Sequence, residues 1–170
     1  MTAYLALLRA VNFGGRQLRM DDLKRIASEA GLGSPRTFIA SGNLLFTSTK
    51  DEAAVKRQLE SALTYHMGKT VEVMVRTSKE MAQAVDANPF AKEAGNRVVA
   101  IFFDEQQSEE TIASARDVTN ERLARGRREI YVHYPDGQGR SKLKLGTRAR
   151  GTARNMNTII KLAELAREMA

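Results

Sequence analysis

Short apolar blocks alternate along the chain with amphipathic stretches, and this pattern predicts strands separated by helices. In the first part of the chain, strands are predicted at residues 4–9, 37–40, 44–47 and 71–75. One helix is predicted to begin near Asp21 and to end at Gly31. A second helix is predicted to begin at a capping box of Thr49 with Glu52 and to end at Gly68. This order of strand, helix, strand, strand, helix and strand is typical of a ferredoxin-like unit, whose two helices cover one face of an antiparallel sheet.

The second part of the chain repeats most of this order. A capping box of Thr77 with Glu80 predicts a helix that ends at Asn88-Pro89. After it we predict a strand at 98–103, a helix from Ser108, a hairpin of residues 121–124 and 129–134, a short helix at 142–145 and a final helix from about Asn157. No clear last strand is predicted. The predicted fold class is α+β, with two ferredoxin-like (split βαβ) halves packed into one compact body. The first half spans residues 1–76, and the second, a related α+β half with a basic C-terminal segment, spans residues 77–170.

The positive charge is concentrated between residues 137 and 162. This stretch holds seven of the 27 basic residues and no carboxylate, namely Arg140, Lys142, Lys144, Arg148, Arg150, Arg154 and Lys161. The other 20 basic residues balance the 20 acidic ones, so the formal net charge of +7 comes from this stretch. A concentrated positive field attracts anions and accelerates their association. The alternative is a solvated basic face that only keeps the protein in solution.

The common catalytic and metal-binding motifs are absent from the sequence. There is no cysteine, which excludes disulfides and thiolate chemistry. His66 and His133 stand alone without the spacing of metal ligands, so a structural role is favoured for both and no metal or cofactor is expected. Residues 137–142 lack the order of a P-loop, and Ser41 is not in a G-x-S-x-G elbow. The sequence therefore identifies no catalytic residue.

The apolar and aromatic residues indicate where the protein is located in the cell and which kinds of partner it can bind. The longest apolar run, residues 98–103, is too short to cross a bilayer, and the start of the chain lacks the basic region of a signal peptide. We therefore expect a cytoplasmic protein without a membrane partner. Tyr4 and Phe46 are the only aromatic residues of the strands predicted at 4–9 and 44–47, which disfavours an RNA-recognition motif. Binding directed at the phosphate backbone needs no aromatic residues.

Three segments carry polar residues that packing does not require. The candidate ligand-binding residues are Arg9, Asn12, Gly14 and Gly15 after the first strand, Ser41 and Asn43 in the hairpin turn, and Arg140, Ser141, Lys142, Arg154, Asn155 and Asn157 in the basic stretch. Backbone N–H groups at a glycine loop and at a helix N-terminus, beside arginines, form a natural site for phosphate or carboxylate. The same residue types are also ordinary turn formers and helix caps.

These segments, with Asn88-Pro89-Phe90, make the chain resemble the uncharacterised bacterial family catalogued as domain of unknown function 1697. The segments that carry the resemblance are residues 8–15, 41–43, 139–143 and 152–158, and the resemblance extends over essentially the whole chain. Ala10 and Met156 depart from the family pattern, in which glycine and tryptophan are common at these two positions. The resemblance implies two ferredoxin-like halves. It implies no activity, substrate or catalytic residue.

From the charge we expect a cytoplasmic protein that binds an anionic, phosphate-bearing ligand. Nucleic acid is the first choice, because the charge extends over more than one small-molecule contact. One alternative is an enzyme acting on a phosphorylated or carboxylated metabolite, with Arg9, Arg140 and Arg154 as ligand clamps. Another is an interaction protein whose basic segment docks an acidic partner. A broad, open positive face would favour nucleic acid, and a deep pocket would favour the enzyme.

Overall fold

The computed structural model describes residues 1–9, 18–39, 42–146 and 150–170. In chain order these residues form β1 (Thr2–Leu8), α1 (Met20–Glu29), β2 (Gly33–Thr37), β3 (Asn43–Ser48), α2 (Glu52–Met67), β4 (Val73–Thr77), α3 (Ser78–Asp86), β5 (Val98–Phe102), α4 (Glu109–Ala113), β6 (Arg122–Arg125), β7 (Glu129–His133), β8 (Thr152–Asn155) and α5 (Met156–Met169). Short 3-10 helices lie at Gly95–Arg97 and Gln138–Arg140. The chain divides into a first unit, Met1–Met81 with Leu162–Ala170, and a second unit, Ala82–Lys161.

The first unit contains a four-stranded antiparallel sheet in the order β2-β3-β1-β4. Alternate residues of β1, Tyr4, Ala6 and Leu8, belong to one core cluster with apolar residues of α1 and α2. The residues between them, Leu5 and Leu7, are also fully buried. The central strand is therefore apolar on both faces, which explains why its sequence is a continuous apolar run rather than an alternating one.

The second unit repeats this topology, with the strand order β6-β7-β5-β8. In the second sheet β5 takes the central place that β1 has in the first, the β6–β7 hairpin corresponds to β2–β3, and β8 corresponds to the edge strand β4. The predicted α+β class with a ferredoxin-like order of strands is confirmed. One element differs: where α2 joins β3 to β4, the described part of the β7–β8 connection contains only a 3-10 turn and extended chain.

Two predictions about this connection are wrong. Residues 142–145 do not form a helix, since Lys144 makes an isolated antiparallel bridge with Arg116. Their apolar residues recur every second position, which is the period of extended chain and not of a helix. A last strand is present, β8, although its four residues Thr-Ala-Arg-Asn give almost no apolar signal. Pairing with β5, and not intrinsic propensity, makes it a strand.

Of the two predicted capping boxes, one is present and the other is replaced by a different cap. The capping box of Thr77 with Glu80 is confirmed, with reciprocal backbone-to-side-chain bonds of 2.9 and 3.1 Å. Thr49 does not cap α2, because Asp51 does so by accepting a 2.9 Å hydrogen bond from the Ala54 N–H. The second strand begins at Gly33, four residues before the predicted start. Among the described residues, no helix has both the length and the apolar character needed to span a bilayer.

Candidate functional site

Residues 140–146, called the basic segment from here on, begin at the last residue of the 3-10 turn Gln138–Arg140 and run as extended, non-helical chain from Ser141 onward, between β7 and β8. Leu143 and Leu145 are half-buried and pack against the core cluster of the second sheet. Arg140, Lys142 and Lys144 alternate with them and are exposed. Successive side chains of extended chain point to opposite sides, so the leucines attach the segment while the cations face solvent.

Arg116 extends this positive surface. Its N–H donates to the Lys144 carbonyl over 2.8 Å, and the Lys144 N–H donates back to the Arg116 carbonyl over 3.0 Å. Both side chains are exposed, so two cations stand directly opposite each other. Like charges in this position repel and destabilise the pair. In the part of the chain that the structure describes, none of Arg116, Arg140, Lys142 and Lys144 forms an ion pair with a carboxylate.

Glu121 holds the start of the basic segment. The Ser141 hydroxyl donates to Glu121 Oε2. Glu121 Oε1 accepts from the Thr119 N–H at 2.8 Å, the Thr119 hydroxyl at 3.1 Å and the Asn120 N–H at 3.1 Å. These donors, Ser141 foremost and then the backbone of Thr119, lower the pKa of Glu121 to about 2. The carboxylate is therefore ionised at neutral pH and joins the loop before β6 to the basic segment.

A cleft of about 130 Å³ opens beside Glu121, and its other lining residues include Asn120, Tyr134, Asp136, Gly137 and Arg140. The Asn120 amide donates to Asp136 Oδ2 over 2.9 Å. Gly137 has φ +90°, a backbone conformation that L side chains rarely adopt, so the turn favours glycine. Burial, and secondarily the charge of Glu121, raises the pKa of Tyr134. The cleft thus combines carboxylates, a phenol and an arginine.

Arg154 and Asn155, two of the remaining candidate residues of the second unit, make hydrogen bonds close to them in the chain. Arg154 Nη1 donates to Thr152 Oγ1 and to the Ala153 carbonyl, both over 2.9 Å, and burial lowers the pKa of Arg154 to about 10. Asn155 Oδ1 accepts a 2.9 Å hydrogen bond from the Thr158 N–H and caps α5. Asn157 is exposed in the first turn of α5.

In the first unit, Asn43 closes the turn between β2 and β3. Its side chain is fully buried, and Nδ2 donates to the Phe38 carbonyl over 2.9 Å. The Phe38 N–H donates back to the Asn43 carbonyl over 3.2 Å. The Arg9 N–H donates to the Glu72 carbonyl over 3.0 Å and extends the pairing of β1 with β4. Among the other candidates, Asn12, Gly14, Gly15 and Ser41 lie outside the described residues.

A second polar cluster surrounds His133. Arg122 Nη2 lies 3.0 Å from Glu93 Oε1 and 3.1 Å from His133 Nδ1. The Phe90 ring packs against His133, with centroids 5.9 Å apart, and the Arg122 guanidinium lies 5.1 Å from the Phe90 centroid. Asn88 fixes this arrangement by accepting a 2.9 Å hydrogen bond from the Phe90 N–H. The packing gives His133 a structural role and explains Asn88-Pro89-Phe90 as a packing motif.

Several residues of the candidate site were not identified from the sequence. Arg116 lies 28 positions before Lys144, and only the bridge brings the two together. Glu121 and Tyr134 were assigned to strands without a role in a site. Asp136 before Gly137 reads as turn chemistry, although a carboxylate just ahead of a basic stretch was a usable signal.

Comparison with known proteins gives a family and a fold. The family model described as "Protein of unknown function (DUF1697)" matches residues 1–131. The structure of the conserved bacterial protein SP0830 from Streptococcus pneumoniae is similar, with a TM-score of 0.80 and 21% sequence identity. The similarity covers 98% of this chain and 99% of that chain. No functionally curated protein matches the sequence.

Proposed function

The chain belongs to the DUF1697 family, and starting from its geometry we propose that it binds nucleic acid through the phosphate backbone, with the basic segment as the contact surface. The alternation within the segment carries this proposal. Leu143 and Leu145 pack against the sheet, which leaves Lys142 and Lys144 to solvent on the other side of the extended chain, and the exposed Arg140 lies just before them at the end of the 3-10 turn. Such a row of cations fits a ligand with regularly repeated negative charges.

The opposition of Arg116 and Lys144 supports an anionic ligand. Two exposed cations joined by 2.8 and 3.0 Å backbone bonds repel each other. A phosphate placed between them would relieve this repulsion and form charge-assisted hydrogen bonds with both. The site would therefore gain more from an anion than from water.

The shape of the surface favours a polymer over a metabolite. Residues two apart in extended chain are about 6.6–6.8 Å apart, so Lys142 and Lys144 are separated by about this distance. Arg140 lies beyond Lys142, at the end of the 3-10 turn. A ligand with several phosphates in a row can contact these cations through separate groups, which a metabolite with one phosphate cannot do. Arg154, one of the clamps expected for a metabolite enzyme, uses its guanidinium on Thr152 and its own strand.

The salt dependence of binding tests the proposal. With four phosphate contacts, at Arg116, Arg140, Lys142 and Lys144, log K for a random single-stranded 12-mer should fall with log salt at a slope of about −2.8. Binding would then weaken about 50-fold between about 50 and 200 mM salt, and a duplex would lose about 150-fold. Fluorescence anisotropy of the labelled 12-mer measures this slope.

Two triple variants distinguish the effect of the basic segment on binding from the effect of the protein's net charge. Arg140→Gln/Lys142→Gln/Lys144→Gln should reduce the magnitude of the slope by about 2. The control, Lys24→Gln/Lys79→Gln/Lys92→Gln, removes the same charge at exposed lysines elsewhere and should keep the slope. Equal losses in both variants, or no binding at about 50 mM salt with micromolar protein, would overturn the proposal.

A further inference from the structure

Arg140 lies both in the basic segment and in the wall of the cleft. A nucleotide whose phosphate contacts Arg140 would have its base near the mouth of the cleft. The cleft and the phosphate-binding surface can therefore serve one ligand. In single-stranded nucleic acid the bases are free to leave the stack and to be read along their Watson–Crick edges.

Tyr134 lines the cleft and offers its hydroxyl to a ligand. Only 6% of the Tyr134 residue is exposed, and within the described ranges its hydroxyl makes no hydrogen bond. Among the described residues the Tyr134 hydroxyl is not one of the buried atoms that lack a partner, so it is open to the solvent of the cleft. A ligand group can replace the water that it contacts. A ligand with a polar edge would supply such a group.

The two carboxylates of the cleft, Glu121 and Asp136, differ in how many further hydrogen bonds they can accept. Four donors already engage Glu121. Asp136 is exposed, and in the described part of the chain it accepts only from the Asn120 amide, through Oδ2. A carboxylate has about four lone-pair sites, so Asp136 can still accept two N–H bonds from a ligand.

We propose that this cleft binds an unpaired guanine base of the nucleic acid held on the basic segment. The inference rests on the proposed function and adds the base to it. Guanine presents two adjacent donors, N1–H and the N2 amino group, which match the two oxygens of Asp136. Adenine, cytosine and uracil each present one donor group on that edge. Tyr134 then hydrogen-bonds the base, and Arg140 contacts the phosphate of the same nucleotide.

The test uses two kinds of probe. The oligonucleotide U3GU4 should bind between about 5- and 150-fold more tightly than U8, the range expected for a good bidentate base contact. Guanosine, which carries no phosphate, should shift the amide NMR signals of Asn120 and of residues 136–141, and adenosine should not.

Variants assign the preference to the cleft. Asp136→Asn and Tyr134→Phe should each reduce the preference for U3GU4 and leave the salt slope unchanged. Asp117→Asn, an exposed carboxylate outside the cleft, is the matched control and should keep the preference. Equal affinity for the two oligonucleotides, together with no guanosine shifts, would overturn the guanine site alone. Guanosine shifts without any oligonucleotide binding would support the cleft and contradict the phosphate surface.

Discussion

Arg116 and Lys144 lie directly opposite each other, joined by two backbone hydrogen bonds of 2.8 and 3.0 Å. Both side chains are exposed cations, and neither is neutralised by a carboxylate in the described part of the chain. The arrangement lowers stability in the free protein because like charges repel across a bridge. Because an anion bound between the two cations would remove this repulsion, stability and binding should respond in opposite directions here.

Arg116→Glu should therefore raise the free energy of unfolding by about 0.2–1 kcal/mol, since it replaces repulsion with attraction to Lys144. The same change should weaken oligonucleotide binding, because one phosphate contact is lost and a negative charge is added. Urea unfolding and anisotropy measure the two effects. Arg127→Glu, at an exposed arginine outside the surface, is the control for binding. Tighter binding by Arg116→Glu would contradict the assignment.

The attachment of the basic segment depends on its leucines. Leu143→Ala should lower the free energy of unfolding by about 1–2 kcal/mol, less than a full core truncation because the side chain is only half-buried. Binding should weaken as well, because the cations on either side lose their fixed spacing. The exposed Ile160→Ala serves as the control and should stay within about 0.5 kcal/mol of wild type. An equal loss in both variants would argue against anchoring.

The bonds around Glu121 predict a pH dependence of stability. The folded pKa of about 2 lies below the ordinary value of 4.5, and Ser141 is the main cause. The resulting stabilisation is present above about pH 4.5 and is lost as the pH falls from there through about 2. Urea midpoints measured from pH 7 to pH 3 should fall less steeply in Glu121→Gln than in wild type. Glu110→Gln, at an exposed glutamate, should retain the wild-type pH dependence.

Two glycines of the β7–β8 connection should respond differently to alanine. A Cβ at Gly151 would lie 2.9 Å from the Phe102 carbonyl oxygen and 2.8 Å from the Phe103 ring, so Gly151→Ala should cost about 1–3 kcal/mol. A Cβ at Gly139 would meet nothing within 4 Å, so Gly139→Ala should change stability little. Thermal unfolding of both variants measures the difference. Equal melting temperatures would show that β8 can move away from β5 without loss.

Asn155 distinguishes a helix cap from a ligand residue. Asn155→Ala should lower the free energy of unfolding by about 1 kcal/mol, because the Thr158 N–H loses its acceptor. Asn155→Asp keeps an acceptor and should restore stability. If Asn155 only caps α5, neither variant should change oligonucleotide affinity. A strong loss of affinity in Asn155→Asp, at unchanged stability, would instead identify Asn155 as an anion ligand.

Much of the fold could be predicted from local patterns. The strands at the centres of the sheets are apolar runs, and the box of Thr77 with Glu80 marks a helix start by residue type alone. Strand β8 could not be found in this way, since a short edge strand with one apolar residue depends on its pairing with β5. The helix predicted at 142–145 is wrong because its two leucines lie two positions apart, which is the spacing of extended chain and not of a helix.

The candidate site was predictable only in part. The charge of Arg140 and Lys142 is visible in the sequence, but their partners in the surface and the cleft come from distant positions. Arg116 is brought to the segment by a bridge, and Glu121 by a hydrogen bond from Ser141. These contacts depend on tertiary structure. The polar character of Asn43 and Asn155 indicated ligand binding equally well, and only their hydrogen bonds reveal a turn and a cap.

The alternation within the basic segment restricts how its length can change. One residue added directly after Ser141 would reverse the side to which the following side chains of the segment point, turning Leu143 and Leu145 to solvent and Lys142 and Lys144 to the sheet. Two added residues would restore the direction while moving each cation along the surface by one repeat. Insertions of an even number of residues therefore keep the leucines against the sheet and the lysines in solvent, whereas insertions of an odd number exchange the two sides.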